Sequence, residues 1–281
     1  ALPIFVTPHW HEEAEFTLIT SGVCTYQVDL ESFQAMPGDF VFIPPLALHS
    51  IAILPAGHMH SETYVFHLDF LGASSADICA MRYLMPLAKQ QLIPPFHIVK
   101  EHPVYPDALA LFYEISSCYS AAQPGYELML KSLLLKLLTL LLPYCSKSSE
   151  QPQLQSEHTQ KIKGVLEYIG LHYTENISIE SLASSCYFSE YHFLRFFKKY
   201  VGMSCLDYIK SLRLQKAADL LEQQELSITD AAMTAGFSSL SYFYREFKKR
   251  YGTTPRQFIH SLPERQHTNR ASTPGSPFSP L

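Results

Sequence analysis

The amino-acid sequence predicts two domains: an all-β barrel of the jelly-roll kind with added helices, then an all-α domain that contains a duplicated pair of helices. Short strand-like runs separated by Gly and Pro turns fill the first 70 residues, and residues 177–259 contain one helical pattern twice. The charge divides in the same way, because residues 1–150 hold 6 Lys and Arg against 14 Asp and Glu, while residues 151–281 hold 15 against 12. The acidic half is therefore a poor candidate for nucleic-acid contact and the basic half a good one.

Four runs near the N-terminus are rich in Phe, Val, Ile, Thr and Tyr, the residues that favour strands. They cover 15–19, 24–28, 40–43 and 63–70. Turn sequences such as Ser21-Gly22 and Pro44-Pro45 separate them. Several short strands at this spacing are typical of a barrel or jelly roll.

Four polar residues of this region form a candidate binding site: His9, His11, Glu15 and His49. Side chains two positions apart on a strand point the same way, and a carboxylate four places on returns to that face, so the first three are expected to lie together. With His49 from a neighbouring strand they offer three nitrogens and one oxygen, a set that suits divalent Fe, Mn, Ni, Co or Zn. Contact with a small-molecule ligand in the absence of a metal, and a merely structural role, are the alternatives.

Helical spacing follows the strands and covers 77–89 and 107–119. The most apolar helix is predicted over 127–143, where leucines cover more than one face. Either this helix is buried within its own domain, or it pairs with a second copy in a homodimer. Residues 146–157, which contain Ser, Gln and Pro, are predicted to be the interdomain linker, and a helix over 159–173 leads the second domain.

The duplication in the second domain is offset by 49 residues and then by 50. Phe188-Ser189 corresponds to Phe237-Ser238. The second copy has one extra residue after that serine, so residues 193–199 correspond to 243–249. Each copy predicts a short helix, a tight turn and a longer helix, which together make a helix-turn-helix unit, over about 178–200 and 227–251. The predicted N-caps of the four helices are Ser178, Ser189, Ser227 and Ser238.

The turns of the two copies differ in one residue. Gly236 can take the positive φ that such a turn favours, whereas Tyr187 stands at the matching position, so the first turn must differ or be strained. Phenylalanines four residues apart form the inner face of each longer helix. These pairs are Phe193 with Phe197 and Phe243 with Phe247.

The outer face of each longer helix is basic. Its cations are Arg195, Lys198 and Lys199 in the first copy and Arg245, Lys248, Lys249 and Arg250 in the second. Such side chains neutralise phosphates and read guanine edges. Residues 206–223 contain no Gly or Pro and predict one helix, roughly 27 Å long at about 1.5 Å per residue, within a linker helix placed over 205–223. Two reading helices held that far apart fit successive major grooves, which lie about 34 Å apart on one DNA face.

Together these features resemble the AraC/XylS family of transcription regulators. The matching residues are Ser227 to Ala232, Gly236 to Ser238, Ser241 to Phe243, Arg245 to Lys249, Tyr251 to Pro255 and, in the linker helix, Arg213 to Ala217. The resemblance implies base-reading residues on both longer helices: Tyr191, Leu194, Arg195, Leu240, Ser241, Tyr244 and Arg245. Lys198, Lys199, Lys248 and Lys249 add phosphate contacts. Cys205 departs from the pattern, since Pro255 stands at the matching place of the second copy.

The first domain resembles a cupin. The motifs His9-x-His11-x3-Glu15-x6-Gly22 and Gly38-x5-Pro44-x4-His49 match, with Leu46 where the second motif usually has Gly. The sensing domain of AraC/XylS regulators is similar to a cupin too. The resemblance implies a sequence-specific regulator, more often an activator, and four partners: double-stranded DNA, a small-molecule effector such as a sugar, a second copy bound through the 127–143 helix, and RNA polymerase.

The competing hypothesis is a cupin metalloenzyme, an oxygenase or isomerase, fused to a DNA-binding domain. No separate acid/base pair or nucleophile supports catalysis, so no catalytic residue is predicted and the protein is expected not to be an enzyme. The barrel would then hold no cofactor, or a divalent transition metal at the His and Glu cluster.

The domain boundaries that follow are 1–145 for the sensing and dimerisation domain and 158–262 for the DNA-binding domain, with a disordered tail over 263–281. Six cysteines without a C-x-x-C pair indicate a reducing cytoplasm, where the protein is expected. The apolar run 128–142 is too short to cross a bilayer and contains two lysines, so no membrane partner is expected.

Overall fold

The structure is a computed structural model that describes residues 6–53, 59–147, 152–223 and 226–262, with the backbone alone for residues 152–156. The chain forms two compact units, one ending at Gln155 and the other beginning at Ser156. The first is a β-structure with added helices and the second is helical, which confirms the predicted fold class. The predicted tail, 263–281, lies outside the described residues.

The first unit is built on two four-stranded antiparallel sheets. Its strands are β1 Val6–His9, β2 Ala14–Ser21, β3 Cys24–Val28, β4 Glu31–Ala35, β5 Phe40–Ile43, β6 His49–Ile53, β7 His60–Phe66, β8 Leu92–Ile93, β9 His97–Ile98 and β10 Ser146–Lys147. One sheet has the order β1-β6-β3-β4 and the other β7-β2-β5-β9, while β10 pairs with β8. Early and late strands contribute to each large sheet, as in a jelly-roll sandwich.

Strand β5 separates two layers of core, and all four of its residues are buried. Phe40 stacks on Phe16 of β2, with ring centroids 4.8 Å apart, in the apolar cluster that includes the helices of this unit. Val41 and Ile43 point the other way, into a cluster with Tyr26 of β3. A strand covered on both faces reads as a continuous apolar run, which is why 40–43 shows no polar alternation.

The helices of the first unit are α1 Leu68–Leu71, α2 Met85–Ala88, α3 Tyr105–Ala121 and α4 Tyr126–Leu141, with a π turn at Ala80–Leu84 and a 3₁₀ turn at Leu142–Tyr144. The predicted helices over 77–89 and 107–119 therefore correspond to the π turn with α2 and to α3. The strand predicted over 63–70 is wrong beyond Phe66. There the ring of His67 accepts a hydrogen bond from the N–H of Asp69 and starts a helical turn, which Gly72 ends at a φ of 104°.

The leucines of α4 mostly serve the core of their own unit. Six of them are buried in one apolar cluster with Phe16 and Phe112: Leu130, Leu133, Leu134, Leu137, Leu138 and Leu141. At the start of the helix, Leu128 is 76% exposed and Met129 is 55% exposed. Burial thus accounts for most of the leucine pattern, and pairing with a second copy through this helix stays a prediction.

The linker predicted over 146–157 is interrupted by regular structure. Ser146 and Lys147 pair with Ile93 and Leu92, and helix α5 already begins at Pro152. Proline lacks the N–H that would be unpaired in the first turn of a helix, so it starts this helix instead of breaking it. Residues 148–151 of the predicted linker lie outside the described part of the chain.

Helix α5 Pro152–His172 begins just before the boundary between the units and lies mostly in the second. The other helices of the second unit are α6 Ile179–Ser185, α7 Glu190–Val201, α8 Cys205–Glu222, α9 Ile228–Thr234, α10 Leu240–Tyr251 and α11 Pro255–Ser261. The pairs α6–α7 and α9–α10 are the two predicted helix-turn-helix units, and α8 is the predicted linker helix. Across the described helices of both units, none has the length and hydropathy of a membrane span.

Three of the four predicted N-caps are confirmed, because the side chains of Ser178, Ser189 and Ser227 accept backbone N–H groups of α6, α7 and α9. The fourth is wrong by one residue. Ser239, not Ser238, caps α10, and its Oγ accepts the N–H of Tyr242 at 3.3 Å. The residue inserted in the second copy therefore lengthens the turn before the helix.

The two turns adopt the same left-handed conformation despite their different residues. Gly236 has a φ of 87° and Tyr187 a φ of 59°. A residue with a Cβ pays a steric cost there that glycine does not, so the first turn is strained. The side chain of Tyr187 is 92% exposed, so little packing offsets that strain.

Candidate functional site

The predicted reading residues lie on α7 and α10, and most of them face solvent. Nine of the eleven are exposed: Tyr191, Leu194, Arg195, Lys198, Lys199, Ser241, Arg245, Lys248 and Lys249. Leu240 and Tyr244 are half-buried and pack against the apolar core of the second helix-turn-helix unit. Of the apolar residues predicted to contact base methyl groups, the two exposed ones therefore lie on α7, where Tyr191 is 72% exposed and Leu194 is 40% exposed.

Both arginines lie over a tyrosine ring of their own helix. The guanidinium carbon of Arg195 is 5.7 Å from the ring centroid of Tyr191, and that of Arg245 is 5.0 Å from the ring of Tyr242. Such cation–π contacts add about 0.5–1 kcal/mol at exposed sites. The equivalent arginines of the two copies are thus presented in similar ways, although one tyrosine precedes its arginine by four residues and the other by three.

Arg245 has a second partner that the sequence analysis did not identify. Its Nε donates to the carboxylate of Glu246 at 3.2 Å, and the Nζ of Lys210 lies 3.5 Å from the same carboxylate. Burial works to raise the pKa of Glu246, but the hydrogen bond from Arg245 and the charge of Lys210 outweigh it and lower that pKa. A charged Glu246 can therefore hold Arg245 in place. The only sequence signal was an acidic residue inside a basic stretch.

The four predicted phosphate-binding lysines lie in the last turns of their helices: Lys198 and Lys199 of α7, Lys248 and Lys249 of α10. Cations near the C-terminus of a helix also interact favourably with the helix dipole, so these lysines stabilise their helices whether or not they bind DNA. They are exposed on the same two helices as the arginines, which suits them to contact with a polyanion.

Helix α8 is anchored by Arg213. The guanidinium donates to the backbone carbonyl oxygens of Tyr173 and Glu175, in the loop that follows α5. Gly236, in the turn between α9 and α10, lies close to the same loop. A Cβ added to Gly236 would be 2.7 Å from the Cα of Thr174. The loop after α5, the linker helix and the second turn are thus packed together.

The four polar residues predicted in the barrel are brought together, but not by the predicted geometry. His9 ends β1 and Glu15 lies on β2, in the other sheet, so the three N-terminal residues do not share one strand face. Antiparallel pairing of β1 with β6 sets His9 directly opposite His49. The N–H of Leu46 donates to the carbonyl oxygen of His11 at 2.8 Å and so joins the turn before β6 to the segment between β1 and β2.

Leu46 itself has a φ of 63°, the left-handed conformation that favours glycine. This explains why the motif that the sequence resembles usually has Gly at that position. The turn forms in this chain at a steric cost, and its N–H still reaches His11.

The three imidazoles lie together, and those of His11 and His49 flank the Glu15 carboxylate. One ring nitrogen from each of His9, His11 and His49 lies within 4.8 Å of the others. Oε1 of Glu15 is 3.0 Å from Nε2 of His11 and 4.0 Å from Nε2 of His49. His49 is 2% exposed, whereas the other three residues are half-buried.

Each imidazole is oriented by a backbone carbonyl oxygen. The Nδ1 atoms of His9, His11 and His49 are 2.8, 3.1 and 2.9 Å from the carbonyl oxygens of Thr7, Glu13 and Ala47. A carbonyl oxygen accepts only, so Nδ1 carries the proton in all three rings. Nε2 of His11 donates to Oε1 of Glu15, and Nε2 of His49 lies 4.0 Å from the same oxygen.

The pKa values of the residues in the cluster are shifted in different directions. The hydrogen bond with Glu15 raises the pKa of His11. Burial, together with the nearby His9, lowers the pKa of His49 to about 4, so this imidazole is neutral at pH 7. Burial works to raise the pKa of Glu15, but the hydrogen bond from His11 and the charges of the neighbouring histidines outweigh it and lower that pKa.

Comparison with known proteins adds to this geometry. A family model described as an AraC-like ligand binding domain matches residues 3–138, and one described as a helix-turn-helix domain matches residues 182–261. The probable transcription factor PqrA of Proteus vulgaris is 39% identical over 84 residues, which are 30% of this chain and 69% of PqrA. The chain belongs to the AraC family of transcription regulators.

Two further matches cover most of this chain. YdeC of Bacillus subtilis (strain 168), named as an uncharacterized HTH-type transcriptional regulator, is 25% identical over 255 residues, 89% of this chain and 85% of YdeC. The crystal structure of unsaturated fatty acid-bound ToxT from Vibrio cholerae covers 92% of this chain and 90% of its own, with 14% identity and a TM-score of 0.46.

Both candidate sites of this AraC-family regulator lie inside the matched regions. His9, His11, Glu15 and His49 fall in the region that matches the ligand-binding domain. Helices α7 and α10 fall in the region that matches the helix-turn-helix domain. The chain is therefore a DNA-binding transcription regulator with an N-terminal ligand-binding domain.

Proposed function

We propose that this regulator is a sequence-specific activator whose reading residues are the exposed side chains of α7 and α10. Arg195 and Arg245 read base edges in successive major grooves, and the four lysines of the same helices neutralise phosphates. The observation that carries the proposal is the repeated presentation of an exposed arginine over a tyrosine ring in both copies of the unit. Two equivalent arginines on a basic face are what paired recognition helices require.

Control lies in the barrel. A small polar effector binds at His9, His11, Glu15 and His49, where ring nitrogens and a carboxylate supply hydrogen-bonding groups to a molecule such as a sugar. Regulation requires that the effector bind two arrangements of the protein with different affinity. In the active arrangement a dimer, formed through α4, contacts RNA polymerase. A regulatory role, not catalysis, agrees with the names of the relatives above.

The test first selects a duplex DNA site from a randomised pool with the full-length wild-type protein. The fluorescently labelled site is then titrated with the wild type and with Arg245→Ala. The lost contact should weaken specific binding by about 1–3 kcal/mol, roughly 5- to 150-fold, and relax the preference at one base position. Lys216→Ala is the matched control, because it removes one exposed cation from α8, outside both reading helices. Unchanged affinity and unchanged base preference in Arg245→Ala would show that α10 does not read DNA through this face.

A further inference from the structure

Arg245 is held on two sides by residues of its own helix. Its Nε donates to Oε1 of Glu246 at 3.2 Å, and its guanidinium carbon lies 5.0 Å from the ring centroid of Tyr242. A guanidinium has five N–H donors in a planar fork, and Nε supplies only one of them. The contact with Glu246 therefore leaves the four N–H groups of the two terminal nitrogens for another partner. An arginine reads guanine with such a pair of donors, one to O6 and one to N7.

Glu246 is in turn fixed by the linker helix. Its side chain is 10% exposed, although that of Arg245 is 69% exposed. Oε2 of Glu246 lies 3.5 Å from Nζ of Lys210 on α8, and Lys210 donates to the carboxylate of Asp207 at 2.7 Å. A carboxylate with so little exposure needs compensating charges, so its position is restricted to the space between the two cations. These contacts therefore set the place of Arg245 relative to α8 as well as to α10.

The first copy of the unit treats its arginine differently. Phe196 stands at the position that matches Glu246, and it is buried. Arg195 is held instead by a terminal nitrogen, because its Nη1 donates to the hydroxyl of Tyr191 at 3.5 Å. To pair with guanine through both terminal nitrogens, Arg195 must give up this contact, whereas Arg245 keeps its contact with Glu246. The two arginines are therefore prepared for a base edge to different extents.

We propose that Glu246 is a positioning residue that makes Arg245 selective for guanine. It holds the guanidinium by Nε and keeps both terminal nitrogens available, so less side-chain freedom is lost when Arg245 binds a base. Its negative charge also repels phosphates, which disfavours DNA contacts that are not specific to a base. This inference rests on the reading role of α10 proposed above, because a positioning residue acts only through the arginine that it positions.

The experiment compares the full-length wild type, Glu246→Gln, Arg245→Ala and the double variant on the DNA site that the wild type selects. The base pair that Arg245 reads is the one at which Arg245→Ala relaxes the preference, and we expect it to be G·C. Each protein is titrated with this site and with the three duplexes that replace that pair. Glu246→Gln keeps the side-chain shape and should lower discrimination at the pair by roughly 2- to 5-fold, the effect of losing a partly exposed ion pair. In the Arg245→Ala background, the same change should leave discrimination unaltered.

Glu222→Gln is the matched control, because it removes one exposed carboxylate from α8, outside both reading helices. It should discriminate as the wild type does. Wild-type discrimination by Glu246→Gln, or an equal loss in both backgrounds, would overturn the positioning role, since an effect on folding alone does not depend on Arg245. A relaxed pair other than G·C would overturn the selectivity for guanine.

The Arg245→Ala titration separates this inference from the function on which it rests. If Arg245→Ala keeps the full preference at every base pair, α10 does not read DNA through Arg245, and the proposed reading role is rejected together with the role of Glu246. If Arg245→Ala relaxes the preference at one pair and Glu246→Gln does not lower discrimination there, only the role of Glu246 is rejected.

Discussion

Gly236→Ala should destabilise the helical unit more than Gly252→Ala does, although both glycines have a left-handed φ, 87° and 74°. That conformation alone costs a residue with a Cβ roughly 1–2 kcal/mol. At Gly252 the structure shows no described atom within 4 Å of an added Cβ. At Gly236 the Cβ would lie 2.7 Å from the Cα and 3.0 Å from the carbonyl oxygen of Thr174. Overpacking of this kind adds about 1–3 kcal/mol, for a total of roughly 2–5 kcal/mol.

The assay is urea unfolding of the full-length protein with two probes. Far-UV circular dichroism follows the helices of both units. The fluorescence of Trp10, the single tryptophan of the sequence, follows the first unit alone, so its transition should be unchanged while the circular dichroism transition shifts. Tyr187→Gly is the reciprocal variant, which should stabilise the helical unit by about 0.5–1 kcal/mol because it relieves the same strain in the first turn. Equal destabilisation by Gly236→Ala and Gly252→Ala would refute the argument that the loop at Thr174 forbids a side chain.

Two further predictions concern charge and thiol chemistry. Lys248→Ala should weaken DNA binding nearly uniformly across sequences and reduce the slope of log affinity against log salt by about 1, whereas Lys216→Ala should leave the slope unchanged. A salt series of the DNA titration measures both. Burial raises the pKa of the Cys205 thiol to about 12, so it stays protonated up to pH 9, and a thiol reagent should label exposed Cys79 first and Cys205 only after unfolding. Mass spectrometry of labelled peptides measures this, and equal labelling rates in the folded protein would contradict the burial of Cys205.

The fold was largely predictable because its signals are local. The strands at 24–28 and 40–43 have the predicted bounds, and the repeated offset located both helix-turn-helix units. The error at the end of β7 arose where local helix caps override an apolar, strand-like run. After Phe66 the chain turns into a helix instead of extending the strand, because His67 and Gly72 together cap that turn.

The sequence identified the residues of the candidate sites but not the contacts that bring them together. The pattern named His9, His11, Glu15 and His49, yet their assembly depends on strand pairing and on the hydrogen bond from Leu46 to His11, which no short-range pattern shows. On α10, the contact of Arg245 with Glu246 depends on side-chain direction and burial. Sequence spacing places residues on a helix face, but it does not show which of their side chains form hydrogen bonds or ion pairs with each other.

The anchor of helix α8 has a consequence for which substitutions this chain can accept. Arg213 supplies every donor of that anchor, while its acceptors are backbone carbonyls at Tyr173 and Glu175, which any residue at those positions would also provide. Sequence drift in the loop thus leaves the acceptors intact. The forked guanidinium spans two carbonyls at once, and a lysine, with a single ammonium, does not replace it. Substitutions at Tyr173 and Glu175 should therefore preserve this contact, whereas a substitution at Arg213 should remove it.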